Sequence, residues 1–261
     1  MYNFFKNKLT SIGDYSLSRY YTGVILVTII ALVIALNIKF LLWLVVGIFY
    51  IIAFYEALKL YNIEEKTYLY ISSCIIWIIA YFHTNPIYIS IVVLVVMASY
   101  NAYHQNIKNK DYLVILYPTI PFLCFFSIYK NFGVMAIIWL ILSVALADIG
   151  AYFGGRAFGK SPLSPVSPKK TLEGALIGLV VSTLIGTMIG IGQKDFISAF
   201  FITFFVALIS IFGDLYESLL KRTINVKDSG NILPGHGGIL DRVDGLLFGS
   251  VIMIFLLEWF K

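Results

Sequence analysis

The stretch FISAFFITFFVALISIFGDLYE, residues 196–217, decides the class of fold. Its first eighteen residues carry no ionisable side chain, and an α-helix needs about 20 apolar residues to cross the hydrocarbon core of a bilayer. The run ends on Asp214 and Glu217 and passes straight into SLLKRTINVKDSGNILPGHGGILDRVDG, residues 218–245. That segment holds Lys221, Arg222, Lys227, Asp228, His236, Asp241, Arg242 and Asp244, and a further apolar run follows it. A chain that puts so many charges between two lipid-compatible helices has chemistry to do at a membrane face.

The rest of the chain extends this pattern. It is 60% hydrophobic and 13% charged, against about 25% charged for soluble domains. Nine apolar segments predict nine transmembrane helices, at about 21–38, 40–58, 68–83, 86–103, 112–128, 132–152, 172–192, 196–217 and 243–260. The third and fourth are separated by HTNP, a turn signal. The runs are continuously apolar, not alternating, which excludes a β-barrel. The expectation is an all-α polytopic membrane protein, with residues 1–130 as scaffold helices and 131–261 as the catalytic region. Its cytosolic loops fall at 153–171 and 218–242. Cys74 and Cys124 sit inside apolar runs and read as small buried hydrophobes. The N-terminal residues show no signal peptide, and Phe4, Phe5, Leu9 and Ile12 suit a short helix lying on the membrane surface.

The cations orient the chain. With the N-terminus in the cytosol, fifteen of the 19 lysines and arginines fall on the cytosolic side. Lys39, Lys130, Lys194 and Lys261 fall on the other, together with the C-terminus. The pI near 9.0 is therefore a matter of topology and does not call for nucleic acid. Seven of the 14 acids, namely Asp148, Glu173, Asp214, Glu217, Asp228, Asp241 and Asp244, crowd the last 115 residues near cytosolic helix ends. Glu56, with Lys59, reads as an interfacial pair.

Ionisable groups at membrane depth are candidates for function because they are costly there. Asp214, Ser218 and Lys221 share a helix face at i, i+4 and i+7, and Asp241 and Asp244 share another at i and i+3. Three carboxylates brought together repel one another unless a hard cation such as magnesium neutralises them. Ion pairing with Arg242 or Lys221 is the alternative. Between them, ILPGHGG is too rich in glycine and proline for a helix. Its backbone at Gly237 and Gly238 can approach an anion, beside the cations Lys221, Arg222 and Lys227. His236 is a proton carrier, a phosphate donor or a turn-packing residue.

A second loop, DIGAYFGGRAFGKSPLSPVSPKKTLEGA at 148–175, repeats this mixture of glycines and cations. Ser167 and Pro168 read as the N-cap and first residue of the seventh helix, leaving Lys169 and Lys170 at an anion-favouring helix N-terminus. Residues 154–161 fit the spacing of a phosphate-binding P-loop, but that motif follows a β-strand and this one follows a membrane span. Gly174, Gly178, Gly186 and Gly190 give the seventh helix a small-residue face for close packing.

Residues 218–244 resemble the signature of the phosphatidate cytidylyltransferases, or CDP-diacylglycerol synthases. Ser218, Lys221, Arg222, Lys227, Asp228, Gly230, Leu233, Pro234, His236, Gly237, Gly238, Asp241, Arg242 and Asp244 each occupy a required position. DIGAYFGGRAFGK and SPKKTLEG resemble a second characteristic segment, while the N-terminal half is similar only in being apolar and helical. The resemblance implies that CTP and phosphatidic acid give CDP-diacylglycerol and pyrophosphate, with magnesium, at the inner face of a bacterial plasma membrane. It implies a metal centre at Asp214, Asp241 and Asp244, with a second cation nearby, and a homodimer. Lys221, Arg222, Lys227, Asp228, His236 and Arg242 are the expected catalytic residues. Ser167, Lys169, Lys170, Ser218, Gly237 and Gly238 are the expected substrate-binding residues. A CTP-dependent polyprenol kinase and a membrane transporter remain as alternatives.

Overall fold

The computed structural model describes residues 20–105 and 109–261, and the surface helix expected around Phe4–Ile12 lies outside them. Nine α-helices occur among the described residues: α1 (Tyr20–Leu36), α2 (Lys39–Leu60), α3 (Thr67–Phe82), α4 (Ile87–Tyr103), α5 (Ile120–Phe132), α6 (Val134–Phe158), α7 (Leu172–Gly190), α8 (Phe196–Thr223) and α9 (Leu240–Trp259). Of these, α2, α6, α7 and α8 are long and apolar enough to cross a membrane. The chain is a helical integral membrane protein. A two-stranded antiparallel hairpin, β1 (Pro162–Ser164) and β2 (Ser167–Thr171), is the one sheet among the described residues.

The predicted segments map onto these helices with informative shifts. The sixth and eighth helices run six residues beyond their expected ends at 152 and 217, to Phe158 and Thr223. Gly154, Arg156, Lys221 and Arg222 are therefore helical, not loop. The fifth is broken: Tyr117 leaves the helical region (φ −145°, ψ 119°) just before Pro118, and a short π-helical turn precedes α5. Proline has no N–H to give to a helix and disfavours helical geometry in the residue before it.

Packing follows from small residues and paired polar groups. A Cβ on Gly178 of α7 would stand 2.3 Å from the Ala147 carbonyl of α6, and one on Gly174 would stand 2.6 Å from the Ala151 carbonyl. The expected small-residue face thus seats α7 backbone-close on α6. On α8, a Cβ at Gly213 would meet the Asp244 carbonyl of α9 at 2.7 Å. Backbone groups are satisfied within each helix, so polar side chains in the apolar layer pair with one another. The Trp139 indole donates to Thr203 Oγ1 (3.0 Å), and Ser182 Oγ to the Ser143 carbonyl (2.7 Å). Trp43 and Trp77 each donate to the other's carbonyl, clasping α2 to α3. Lys130 donates to the terminal carbonyls of α3 and Lys194 to Phe260 O at the end of α9, where a cation suits the negative end of the helix dipole.

Candidate active site

The close α8–α9 crossing at Gly213 brings the ionisable end of α8 against the start of α9. Asp214, Glu217, Ser218 and Lys221 meet Asp241 and Asp244 there. The α6–α7 crossing delivers Asp148 and Arg156 beside them, and the hairpin delivers Lys169 and Lys170. Lys170 Nζ is ion-paired to Asp214 Oδ2 and within Coulombic reach of Asp244, Asp148 and Glu217. Burial of its ammonium lowers the Lys170 pKa from the ordinary lysine value, and Asp244 and Asp148 pull the other way. Asp148, Tyr152, Arg156, Lys169, Lys170 and Asp214 line a cavity of about 550 Å³. Across Asp148 lies a second cavity of about 220 Å³, walled almost entirely by apolar side chains such as Ile30, Phe49, Ile141 and Leu246, with Arg242 and Asp148 as its charged residues.

The hairpin corrects the expected start of α7. Ser167 opens strand β2, not a helix, and the N-cap is Thr171, whose hydroxyl accepts from the Gly174 N–H (3.2 Å). Ser161, Ser164 and Ser167 each precede a proline, and the residue before proline is driven to extended geometry. Three such constraints at a three-residue spacing favour strands over a helical first turn. Glu173 holds the hairpin's base by accepting from the Lys160 and Ser161 N–H groups at 3.0 and 3.1 Å. Lys170 still reaches the acids; Lys169 is exposed at the cavity wall.

Lys221 keeps its helical place seven residues after Asp214, because α8 runs unbroken to Thr223, but its side chain finds other partners. Its ammonium donates to Asp241 Oδ1 (2.6 Å) and lies 3.5 Å from Glu217 Oε1. Ser218 Oγ, expected on the same face as Asp214, donates to Asp214 Oδ1 (3.4 Å). Asp241 is fully engaged: Oδ2 accepts from the N–H groups of Ser229 (2.8 Å) and Gly238 (2.9 Å) and from Ser229 Oγ (3.0 Å). It braces the turn into α9. The expected anion cradle at Gly237 and Gly238 is not formed, since their N–H groups go to the Leu233 carbonyl and to Asp241. These glycines serve tight packing. Gly237 has φ +85°, and a Cβ on Gly238 would stand 2.1 Å from Ser229 Oγ.

Arg222, Lys227 and His236 are peripheral to the acids. The His236 ring packs near Gly23 of α1, with its Nδ1 buried and without a hydrogen-bond partner among the described residues. Its carbonyl accepts from Arg242 Nε (3.0 Å) and Nη2 (2.7 Å). Arg222 donates to the Val226 carbonyl, and Lys227 and Asp228 are exposed.

Three acids outside the expected set lie in or against this cluster. Glu217 is fully buried, and neither carboxylate oxygen accepts a hydrogen bond. Asp148 lines both cavities. Glu56 is not an interfacial partner of Lys59, which lies over the Tyr55 ring. It is buried, accepting from the N–H groups of Ile239 (3.0 Å) and Leu240 (2.8 Å) and from Ser229 Oγ (3.0 Å). Their signal was available: each is an acid next to or within an apolar run, where charge is expensive.

Asp148, Asp214, Glu217 and Asp244 offer only oxygen donors, the set a hard divalent cation prefers, and the buried Glu217 carboxylate, which accepts no hydrogen bond and has only the Lys221 ammonium at 3.5 Å, fits such an ion. Among the described residues no three His, Cys, Asp or Glu side chains yet converge on one point; the ammonium groups of Lys170 and Lys221 stand among these carboxylates.

Fold and site together define a polytopic helical enzyme that handles phosphate groups at a membrane face. The chain belongs to the Cytidylyltransferase family, whose model matches residues 17–260. It is 43% identical over 249 residues to the phosphatidate cytidylyltransferase of Helicobacter pylori strain J99, covering 94% of both chains. It is 44% identical to that of strain 26695 over the same span. A Bacillus subtilis phosphatidate cytidylyltransferase matches at 42% over 135 residues, half of each chain. The likeness therefore extends well into the N-terminal helices, beyond the bare apolar character expected of them.

Proposed function

We propose that this enzyme transfers the CMP moiety of CTP to phosphatidic acid, forming CDP-diacylglycerol and releasing pyrophosphate. The observation that carries the reading is the meeting of two unlike cavities at Asp148. One is lined by Arg156, Lys169 and Lys170 and suits a triphosphate; the other is apolar with Arg242 at its edge and suits a lipid phosphate whose chains lie in the bilayer. The names of the relatives, matched over nearly their whole length, point the same way.

A phosphatidate phosphate oxygen is already anionic, so it attacks the α-phosphorus of CTP without a strong general base. The P–O bond to pyrophosphate breaks as the new one forms. Catalysis then rests on alignment and charge neutralisation. Lys170 and Lys221 offset the developing charge, with Lys169 and Arg156 at the cavity wall. Magnesium is the proposed cofactor, with Asp214 and Asp244 as ligands and Glu217 and Asp148 beside them. When bound it would neutralise the phosphate oxygens and draw the two anions together. Asp241 holds the turn behind them.

Nine spans with the N-terminus cytosolic and the C-terminus opposite are the proposed topology, supported by the distribution of lysine and arginine. The proposed location is the bacterial plasma membrane with the site facing the cytoplasm, and the proposed assembly is a homodimer. Purified protein given labelled CTP, phosphatidate and magnesium is expected to yield a CDP-lipid with stoichiometric pyrophosphate. CDP release instead would assign it to the lipid kinases, and no CTP turnover would overturn the reading.

A further inference from the structure

Glu56 and Ser229 occupy a place that packing alone does not explain. Glu56 comes from α2, yet its carboxylate accepts the Ile239 and Leu240 N–H groups 183 and 184 residues away. The first N–H groups of a helix have no partner within it, and the residue at the N-cap of α9, Ile239, has no side chain able to cap. Glu56 therefore supplies from another helix the acceptor that α9 lacks, at the positive end of its dipole. A Cβ on Gly230 or Gly238 would stand 2.5 Å from Glu56 Oε1, so the loop is shaped around this carboxylate.

From Glu56 an unbroken line of polar contacts leads into the site. The single O–H of Ser229 is shared between Glu56 Oε2 and Asp241 Oδ2, each 3.0 Å away. Asp241 Oδ1 accepts from Lys221 Nζ at 2.6 Å, and that ammonium lies 3.5 Å from Glu217 Oε1. Ser229, Glu217 and Asp241 are all nearly inaccessible, so water offers no substitute partners. We infer that Glu56 and Ser229 are positioning residues for the nucleotidyl transfer: through Asp241 they fix where the Lys221 ammonium stands. The inference rests on the proposed reaction and on Lys221 acting there as a phosphate-neutralising cation.

The test compares E56Q, S229A and K221R with wild type in CDP-lipid formation, alongside thermal unfolding in detergent. Glutamine keeps one acceptor but turns a donor amide toward an α9 N–H, and alanine removes the link to Asp241. E56Q and S229A are expected to lower kcat by roughly 10- to 100-fold, as misplacement by about 1 Å does, with both KM values within about threefold. On K221R, which keeps the charge but not its placement, adding E56Q is expected to cost less than about threefold more, because coupled residues are not additive. Full multiplication of the two losses in kcat overturns the inference. So does an E56Q enzyme whose unfolding midpoint falls while the kcat of its folded fraction stays at the wild-type value. A wild-type enzyme forming no CDP-lipid overturns the underlying reaction instead, and with it the inference.

Discussion

The Lys170 ammonium of the Ser-Pro hairpin is ion-paired to Asp214 toward the C-terminal end of α8. A strand that belongs to neither helix thus closes one side of the acidic cluster. Because burial lowers the Lys170 pKa from that of a free lysine, its charge is lost at a lower pH than usual. The KM for CTP is expected to rise on the alkaline side as Lys170 deprotonates. K170R, which stays charged, should hold that KM flat to higher pH; steady-state kinetics across pH 7–10 check this.

Asp241 and Asp244, three residues apart, should fail differently. D244N is expected to lose at least about 100-fold in turnover with an unchanged unfolding midpoint, since its carboxylate is proposed to hold the magnesium that neutralises the phosphates. D241N removes the partner of Lys221 in a nearly inaccessible setting, and breaking such a pair costs about 3–5 kcal/mol. It should lower both turnover and the unfolding midpoint. Paired activity and melting measurements distinguish them.

Chelation with EDTA is expected to abolish CDP-lipid formation, and added magnesium to restore it. D214N and E217Q should each move the magnesium concentration for half-maximal activity upward by about tenfold or more, because each removes a charge from the proposed cation's surroundings. A magnesium titration of each variant is the measurement, and an unchanged midpoint for D214N would remove Asp214 as a ligand.

The α6–α7 contact should be intolerant of any side chain. G178A places a Cβ 2.3 Å from the Ala147 carbonyl, and overpacking of this kind costs about 1–3 kcal/mol. It also pushes α7 and the hairpin away from Asp148. Both thermal stability and the CTP KM are expected to worsen, while G192A, clear of close contacts, should leave both unchanged.

Much of this organisation is written locally in the chain. Apolar run length locates the helices, and the Asp241–Asp244 spacing announces a charged face at the start of α9. What escapes local reading depends on partners far away in sequence. Lys221 sits at the right interval to face Asp214, yet Asp241 on the next helix takes it. Ser-Pro at 167–168 serves equally as a helix start or an extended segment, and only the repetition at 161 and 164 favours the hairpin. Glu56 gives no local hint that it meets Leu240, because the contact exists only once α2 and α9 are folded together.

Glu56 also bears on how the two halves of this enzyme can be exchanged. The N-terminal helices look interchangeable as lipid-facing scaffold, but they carry the acceptor on which the start of α9 closes. A chimera joining foreign helices α1–α5 to helices α6–α9 of this chain is expected to need a carboxylate at the Glu56 position and glycines at 230 and 238 to receive it. The N-terminal helices are therefore part of how the start of α9 is held, and not only a support in the lipid.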